Sequence, residues 1–299
     1  MVFYGVSKLT STIQDILNRT TADFEKSESM TPRLDAEVLL SFWLKADRLE
    51  IYREPEKTIK EEKISGFEEW TKRRMQGEPV AYIIGVKEFW SLLFEVNREV
   101  LVPRPETEIL VEETIALGRN LKSSPVSEHN ELRILEIGTG SGAVSVSLAI
   151  ELPEARFMAT DISNGALFLA WKNASVHGVE GRIYFLPGDL FEPVSGLFDL
   201  VVSNPPYIST EEFERLPHEI KEYEPQQALL AGADGTFYHR KIIEGGIHCL
   251  KKGGWLLMEM GAGQKERVEK MLRDSESYCD IETRLDYGGV ERVIKARKL

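Results

Sequence analysis

Asn204-Pro205-Pro206-Tyr207 is the stretch of this chain with the strongest geometric consequences. Proline fixes its own φ and drives the preceding residue out of the α region, so Asn204 and Pro205, each followed by a proline, are held extended. The Asn204 side chain and the Pro205 carbonyl then converge as two fixed acceptors, and Tyr207 offers a flat aromatic wall. Such a corner suits a planar group bearing NH₂, either a carboxamide or the exocyclic amine of a base. That nitrogen is a poor nucleophile because its lone pair is delocalised. The barrier of ~18–20 kcal/mol to rotation about a related amide bond measures how strongly. Two rigid acceptors gripping both N–H hydrogens turn the lone pair toward an incoming electrophile and favour pyramidal nitrogen. The grip tightens as positive charge develops, so it acts on the transition state. The plainer alternative is a proline-rich strand terminator with Asn204 as a turn former.

A second constellation is Leu135-Glu136-Ile137-Gly138-Thr139-Gly140-Ser141-Gly142, which ends a strand and opens a helix. Glycines there adopt positive φ cheaply and let backbone approach a ligand. Asp161 closes the next strand, placed to accept hydrogen bonds from ribose hydroxyls. Asp189, in Gly188-Asp189-Leu190-Phe191, follows the third, where its side chain reaches toward an adenine amine. Gly138, Gly140 and Ala143 also fit a dinucleotide fingerprint, which keeps NAD open at this point. Glu136 directly before the loop and a hairpin at the end of the chain favour S-adenosylmethionine. The bland reading is a glycine turn with no ligand. The five histidines (His129, His177, His218, His239, His248) are scattered with no ligand spacing, so no metal is expected, and His239 is assigned to a polar helix face.

The elements that must position these residues follow from periodicity. From Arg133 onward, short apolar runs (RILEIG, RFMATDI, RIYFLPG, FDLVVSN, WLLMEMG) alternate with helical patterns, which predicts five buried parallel strands in a doubly wound α/β sheet. The tail, CDIETRLDYGG then VERVIKARK, reads as a hairpin completing that sheet. Both constellations then fall at the carboxyl edge, where such sheets bind ligands. Residues 1–78 read as a small helical domain. Leu9, Ile13, Ile16 and Leu17 form one apolar face. Thr31-Pro32 opens a helix through Leu34, Val38 and Phe42, and a third helix runs through Ile64, Phe67 and Met75 to Gly77. Residues 79–102 read as a β-hairpin linker, and 103–299 as the catalytic domain. Within it a helix starts near Thr107 on Ile109, Leu110 and Val111, and Lys122 to Asn130 is a polar loop.

Composition bounds the partners. The chain has 299 residues, 42% hydrophobic and 29% charged, with a net charge of −12. That profile is globular, and the acidic balance argues against direct nucleic-acid binding over a broad footprint. Residues 1–80 carry 13 basic and 15 acidic side chains, so −2 of the charge lies there and −10 in the remainder. No apolar run approaches the ~20 residues of a membrane span. Cys249 and Cys279, with no transit signal at the start, suit a cytoplasmic protein, and both read as small hydrophobes.

EIGTGSGAVSVSLA, TDIS, GDLF and SNPPYI resemble class I S-adenosylmethionine-dependent methyltransferases that act on amino groups. GEPVAYIIGVKEFW and VLVPRPETEILVE narrow the resemblance to the HemK/PrmC family of protein-(glutamine-N5) methyltransferases. The resemblance runs from about Gly77 to the DYGGVERV tail. It implies a Rossmann-like fold with a small N-terminal helical domain, whose near-neutral charge leaves two readings open: a release-factor docking module or a packed appendage. The implied reaction is methylation of the glutamine in the Gly-Gly-Gln motif of a class I peptide chain release factor. By position, Gly138, Thr139, Gly140, Ser141 and Gly142 would wrap the methionine part of the cofactor, Asp161 would hold the ribose, and Asp189 with Leu190 would border the adenine. Asn204 would sit between cofactor and substrate, and Pro205, Pro206 and Tyr207 would complete the glutamine pocket. Some relatives carry an aromatic at Leu190, so stacking there should be weaker. Arg104 is assigned to substrate and Glu108 is open to the same role, with an ion pair at the domain hinge as the alternative. The competing readings are an N6-adenine methyltransferase on DNA or RNA, methylation of another protein amide, and a non-catalytic module keeping only the cofactor fold.

Overall fold

The computed structural model describes residues 11–27, 29–123 and 131–299. The chain divides into two compact units. One takes in residues up to Gly85 together with His218–Tyr223, and the other comprises Val86–Pro217 and Glu224–Leu299.

The first unit is helical. A short pair of strands, β1 (Ser11–Thr12) and β2 (Thr58–Ile59), brackets α1 (Ile13–Glu25), α2 (Pro32–Leu44) and α3 (Arg48–Arg53). Then come α4 (Glu61–Ile64), α5 (Phe67–Met75) and α6 (Val80–Ile84). Thr12 and Asp15 form a capping box that starts α1, and Ile13, Ile16, Leu17 and Phe24 enter the core beside Leu39, Leu40 and Phe67. Leu9 lies outside the described residues. Pro32 occupies the first turn of α2, but the Thr31 hydroxyl donates to Asp35 (2.9 Å) rather than capping backbone. Asp35 in turn accepts from the buried Arg74 (2.7 Å), which also binds Glu219 (2.8 Å).

Three expectations change here. Leu34 and Phe42 are exposed and Val38 only half-buried, while Ala36, Leu39 and Leu40 point inward. Asp35, Glu37 and Ser41 of α2 are buried too, the two acids paired with Arg74, Arg33 and Arg48, so apolar spacing alone does not fix its phase. The third expected helix breaks at Ser65-Gly66 into α4 and α5, and Met75 faces solvent. Val80–Ile84, expected in the hairpin linker, is a helix between Pro79 and the left-handed Gly85.

The second unit opens on a hairpin, β3 (Val86–Phe89) and β4 (Leu92–Glu95), followed by a 3₁₀ turn (Pro105–Thr107) and α7 (Glu108–Ser123). Ile109, Leu110 and Val111 are buried. Residues 124–130 of the polar segment lie outside the described residues. The chain then alternates: β5 (Arg133–Ile137), α8 (Ala143–Glu151), β6 (Arg156–Asp161), α9 (Asn164–Val176), β7 (Ile183–Pro187) and β8 (Phe198–Ser203). After α10 (Thr210–Glu214) and α11 (His218–Tyr223) come α12 (Phe237–Cys249), β9 (Leu250–Glu259), α13 (Lys265–Asp274), β10 (Tyr278–Leu285) and β11 (Glu291–Lys298). The sheet order is β10-β11-β9-β8-β5-β6-β7, with β5 to β9 parallel and β10 and β11 antiparallel. Successive residues alternate between two cores. Ile134, Leu200, Val202 and Leu257 pack on one face, and Leu135, Ile137, Val201, Leu256 and Met258 on the other. Helices on both faces explain why these strands read as unbroken apolar runs.

Candidate active site

The chain runs β5, β6, β7 to one side of the sheet, then returns to place β8 and β9 on the other, so the switch point lies between β5 and β8. Register sets the site. Ile137 pairs with Thr160 on β6 and with Ser203 on β8, and Ser203 pairs with Met258 on β9. Their successors, Gly138, Asp161, Asn204 and Glu259, therefore leave four parallel strands at one level, on the edge where such sheets bind ligands. The Ser203 hydroxyl donates to the Ile137 carbonyl (2.8 Å) and ties the two loop exits together.

One cavity opens there. Gly138, Thr139, Gly140, Ser141, Asp161, Asp189, Leu190, Asn204, Pro205, Pro206 and Arg104 all line it. Gly138 (φ 74°) and Gly140 (φ 54°) face open space, so backbone is bare where a ligand would approach. Gly142 does not line the cavity. It turns the chain into α8 at φ 79°, and a Cβ there would lie 3.0 Å from Ala170 of α9. Tyr207 is also absent from the lining. Its hydroxyl donates to Glu259 Oε1 (3.4 Å), its carbonyl accepts from Gln264 (2.7 Å), and burial pushes the phenol far above its usual range.

Two carboxyls, the buried Glu136 and the half-buried Asp161, frame the glycine loop. Asp161 accepts from the Gly140 N–H (2.8 Å) and the Ser163 N–H (2.9 Å), and burial outweighs these bonds to raise its pKa. Each oxygen keeps a second lone pair for a ligand hydroxyl. Glu136 accepts from the Thr139 hydroxyl (2.7 Å) beneath the loop, and burial pushes it up to about 7. Asn173 of α9 ties the frame together, donating to the Ser141 carbonyl (2.8 Å) and exchanging bonds with the Glu95 backbone. Leu190 stands at φ 49°, held by the Thr160 hydroxyl on its carbonyl (3.1 Å).

The segment Pro103 to Glu108 braces the corner. Arg104 pairs with the buried Glu224 (2.5 Å), which leads into Pro225, Gln227 and Ala228 on the cavity wall. Thr107 accepts a hydrogen bond from Asn204 Nδ2 (3.0 Å). Glu108 takes the Trp90 N–H (2.8 Å) in the β3–β4 turn and lies off the cavity.

Sequence reasoning missed Thr107, Glu259, Asn173 and Gln264. Glu259 was legible in principle, as an acid closing an apolar strand in WLLMEMG. It is fully buried, burial lifts it to about 7 against the nearby Thr107 hydroxyl and Arg292, and its Oε2 has no hydrogen-bond partner. His239 is another correction. It is buried, not on a polar face, and its Nε2 donates to the Glu259 carbonyl (2.8 Å). Burial pulls it down to about 4, so it is neutral at physiological pH. Among the described residues no group of His, Cys, Asp or Glu could hold a metal. None of their helices is long and apolar enough to cross a membrane.

This sheet order, with a glycine loop and an Asn-Pro-Pro-Tyr corner on adjacent strand ends, defines a class I methyltransferase, a fold that uses S-adenosylmethionine. Solved structures agree on the fold. A methyltransferase from Pyrococcus furiosus superposes with a TM-score of 0.50 at 18% identity, covering 71% of this chain and 91% of its own. The hMettl16 catalytic domain gives 0.52 at 16% identity, covering 81% and 84%. The model for the PrmC N-terminal domain matches residues 15–85, and that for the methyltransferase small domain matches 112–222. Release factor glutamine methyltransferases from Geobacter sulfurreducens and Rhodopirellula baltica are 39% and 38% identical, each over 96% of both chains. That of Coxiella burnetii is 40% identical over 90% of this chain and 93% of its own. The chain belongs to the release factor glutamine methyltransferase family.

Proposed function

We propose that this chain transfers a methyl group from S-adenosylmethionine to the side-chain amide nitrogen, N5, of the glutamine in the Gly-Gly-Gln motif of a class I peptide chain release factor. The observation that carries this reading is the register, which puts Asn204 and Pro205 beside Gly138 and Asp161 on one cavity. The lining fits the cofactor. Bare backbone from Gly138 to Ser141 would cradle its amino-acid part, Asp161 would take the ribose hydroxyls, and Asp189 with Leu190 would border the adenine. When bound, S-adenosylmethionine supplies an electrophilic methyl group on a sulfonium.

The chain's own residues do the rest. Asn204 Oδ1 and the Pro205 carbonyl accept the two amide N–H groups of the glutamine and aim its nitrogen lone pair. Pro206 stiffens the corner. Tyr207, turned to Glu259, supports it from behind rather than stacking on substrate. Alkylation makes the nitrogen acidic, and its proton leaves to solvent without a dedicated base. Arg104 orders the cavity wall through Glu224. Residues 1–78, with the rest of the helical unit, are the release-factor docking module. Two free cysteines and a substrate that works on ribosomes suit action in the cytoplasm.

The test is labelled S-adenosylmethionine with purified release factor, the same factor carrying Gln→Ala in its Gly-Gly-Gln motif, and duplex DNA. Label is expected on the intact factor alone. Label on DNA would favour the adenine reading, and equal label on both factor forms would place the methyl elsewhere.

A further inference from the structure

Thr107 lies in the Pro103–Glu108 stretch without a role of its own assigned from sequence, yet it touches the residue on which the proposed reaction depends. We propose that Thr107, backed by Glu259, is a positioning residue that locks the Asn204 amide with its oxygen rather than its nitrogen offered to the substrate. The inference rests on the reading that Asn204 accepts from the glutamine amide.

An asparagine side chain can present C=O or NH₂ at one place after a half-turn, and only C=O can accept an N–H. Asn204 Nδ2 lies 3.0 Å from Thr107 Oγ1. A hydroxyl has one proton to give, so its direction decides what it can receive. Above about pH 7 the neighbouring Glu259, buried and ionised, can only accept the Thr107 proton. The hydroxyl lone pairs are then left for Asn204, which must donate through Nδ2 and leave Oδ1 free. Register brings these groups together without a long reach, since Asn204 and Glu259 leave adjacent strands at one level. Thr107 itself is fixed. It is buried, ends the turn Pro105–Thr107, and gives its N–H to the Arg104 carbonyl (3.1 Å). The reversed amide would set donors against donors at the substrate and leave a buried hydroxyl mismatched, both costly.

The test is single-turnover methylation of the release factor at saturating cofactor, with cofactor affinity and melting temperature measured alongside. Thr107→Val keeps the shape and loses the hydroxyl; Thr107→Ser keeps the hydroxyl. We expect Val to slow the step about tenfold, the scale of one hydrogen bond, with cofactor affinity near that of the wild type. Ser should restore the rate to within about threefold. Glu259→Gln, which donates as well as accepts, should fall between them. In an Asn204→Ala background Thr107→Val should add little, because it acts through Asn204. A wild-type rate for Val, a Ser variant as slow as Val, or a full further loss in the double variant would overturn the role of Thr107. An unaffected Glu259→Gln would remove Glu259 from the pair. If Val does not fold, Thr107→Ala replaces it in the same comparison. A wild-type rate for Asn204→Ala alone would instead sink the parent reading.

Discussion

Asn204 and Asp161 could be singled out before any coordinates because their neighbours constrain backbone, and backbone rules are local. Thr107 and Asn173 could not, because each acts through a partner distant in sequence. Thr107 reaches Asn204, and Asn173 reaches Ser141 and Glu95. Two of the acids in this neighbourhood carry a measurable signature. Burial holds Glu136 and Glu259 near 7 in the folded chain, against 4.5 ordinarily. A carboxyl raised on folding binds its proton more tightly in the native state. Stability from each is therefore greatest below about pH 4.5, falls as pH rises toward 7, and the penalty is complete above that. Glu136→Gln should thus flatten the decline between those pH values and gain about 1–3 kcal/mol at pH 8. Melting temperatures of variant and wild type across pH 5 to 8 check this. A difference that does not grow with pH would show that Glu136 is not protonated in the native protein.

At the scale of elements, strands were easier to read than helices. Parallel strands buried on both faces leave an apolar run of the right length whatever the register, and β5 to β9 all fall where those runs stand. α2 defeated the same approach because it buries the paired acids Asp35 and Glu37 and exposes Leu34 and Phe42, and Val80–Ile84 did so because five apolar residues serve a short helix as well as a strand. The β3–β4 turn shows strain that composition hides. Trp90 (φ 55°) and Ser91 (φ 57°) both occupy the left-handed region, the two-residue geometry that asparagine and glycine favour. Glu108 on the Trp90 N–H and Glu151 on the indole (3.2 Å) hold the turn in place. Ser91→Gly should relieve the strain and stabilise the fold by about 0.5–1 kcal/mol. A denaturant melt tests it, and a loss of stability would mean that the Ser91 side chain makes up the strain.

For the molecule as a whole, the helical unit is more than an appendage in sequence order. It extends to Gly85, in line with the matched family domain, and it recruits His218–Tyr223 from far along the chain. Nothing in local periodicity marks that recruitment, which depends on Arg74 meeting Glu219 and on Tyr223 donating to the Gln76 carbonyl (3.0 Å). If the unit docks the release factor, removing residues 1–85 should raise KM for the whole factor several-fold and leave turnover of a short Gly-Gly-Gln peptide nearly unchanged. Glu219 loses Arg74 and Tyr223 loses the Gln76 carbonyl in that deletion, so stability is measured beside the kinetics. Equal losses on both substrates would make the unit a support for the fold.

The central claim is that Asn204 drives methyl transfer by gripping a glutamine amide. The direct measurement is the single-turnover rate of release-factor methylation at saturating S-adenosylmethionine, wild type against Asn204→Ala. The account predicts a rate ~10²–10³ lower, the cost of losing one preorganised polar contact, with cofactor affinity falling much less. A wild-type rate would contradict it and reduce the Asn-Pro-Pro-Tyr corner to the end of a strand.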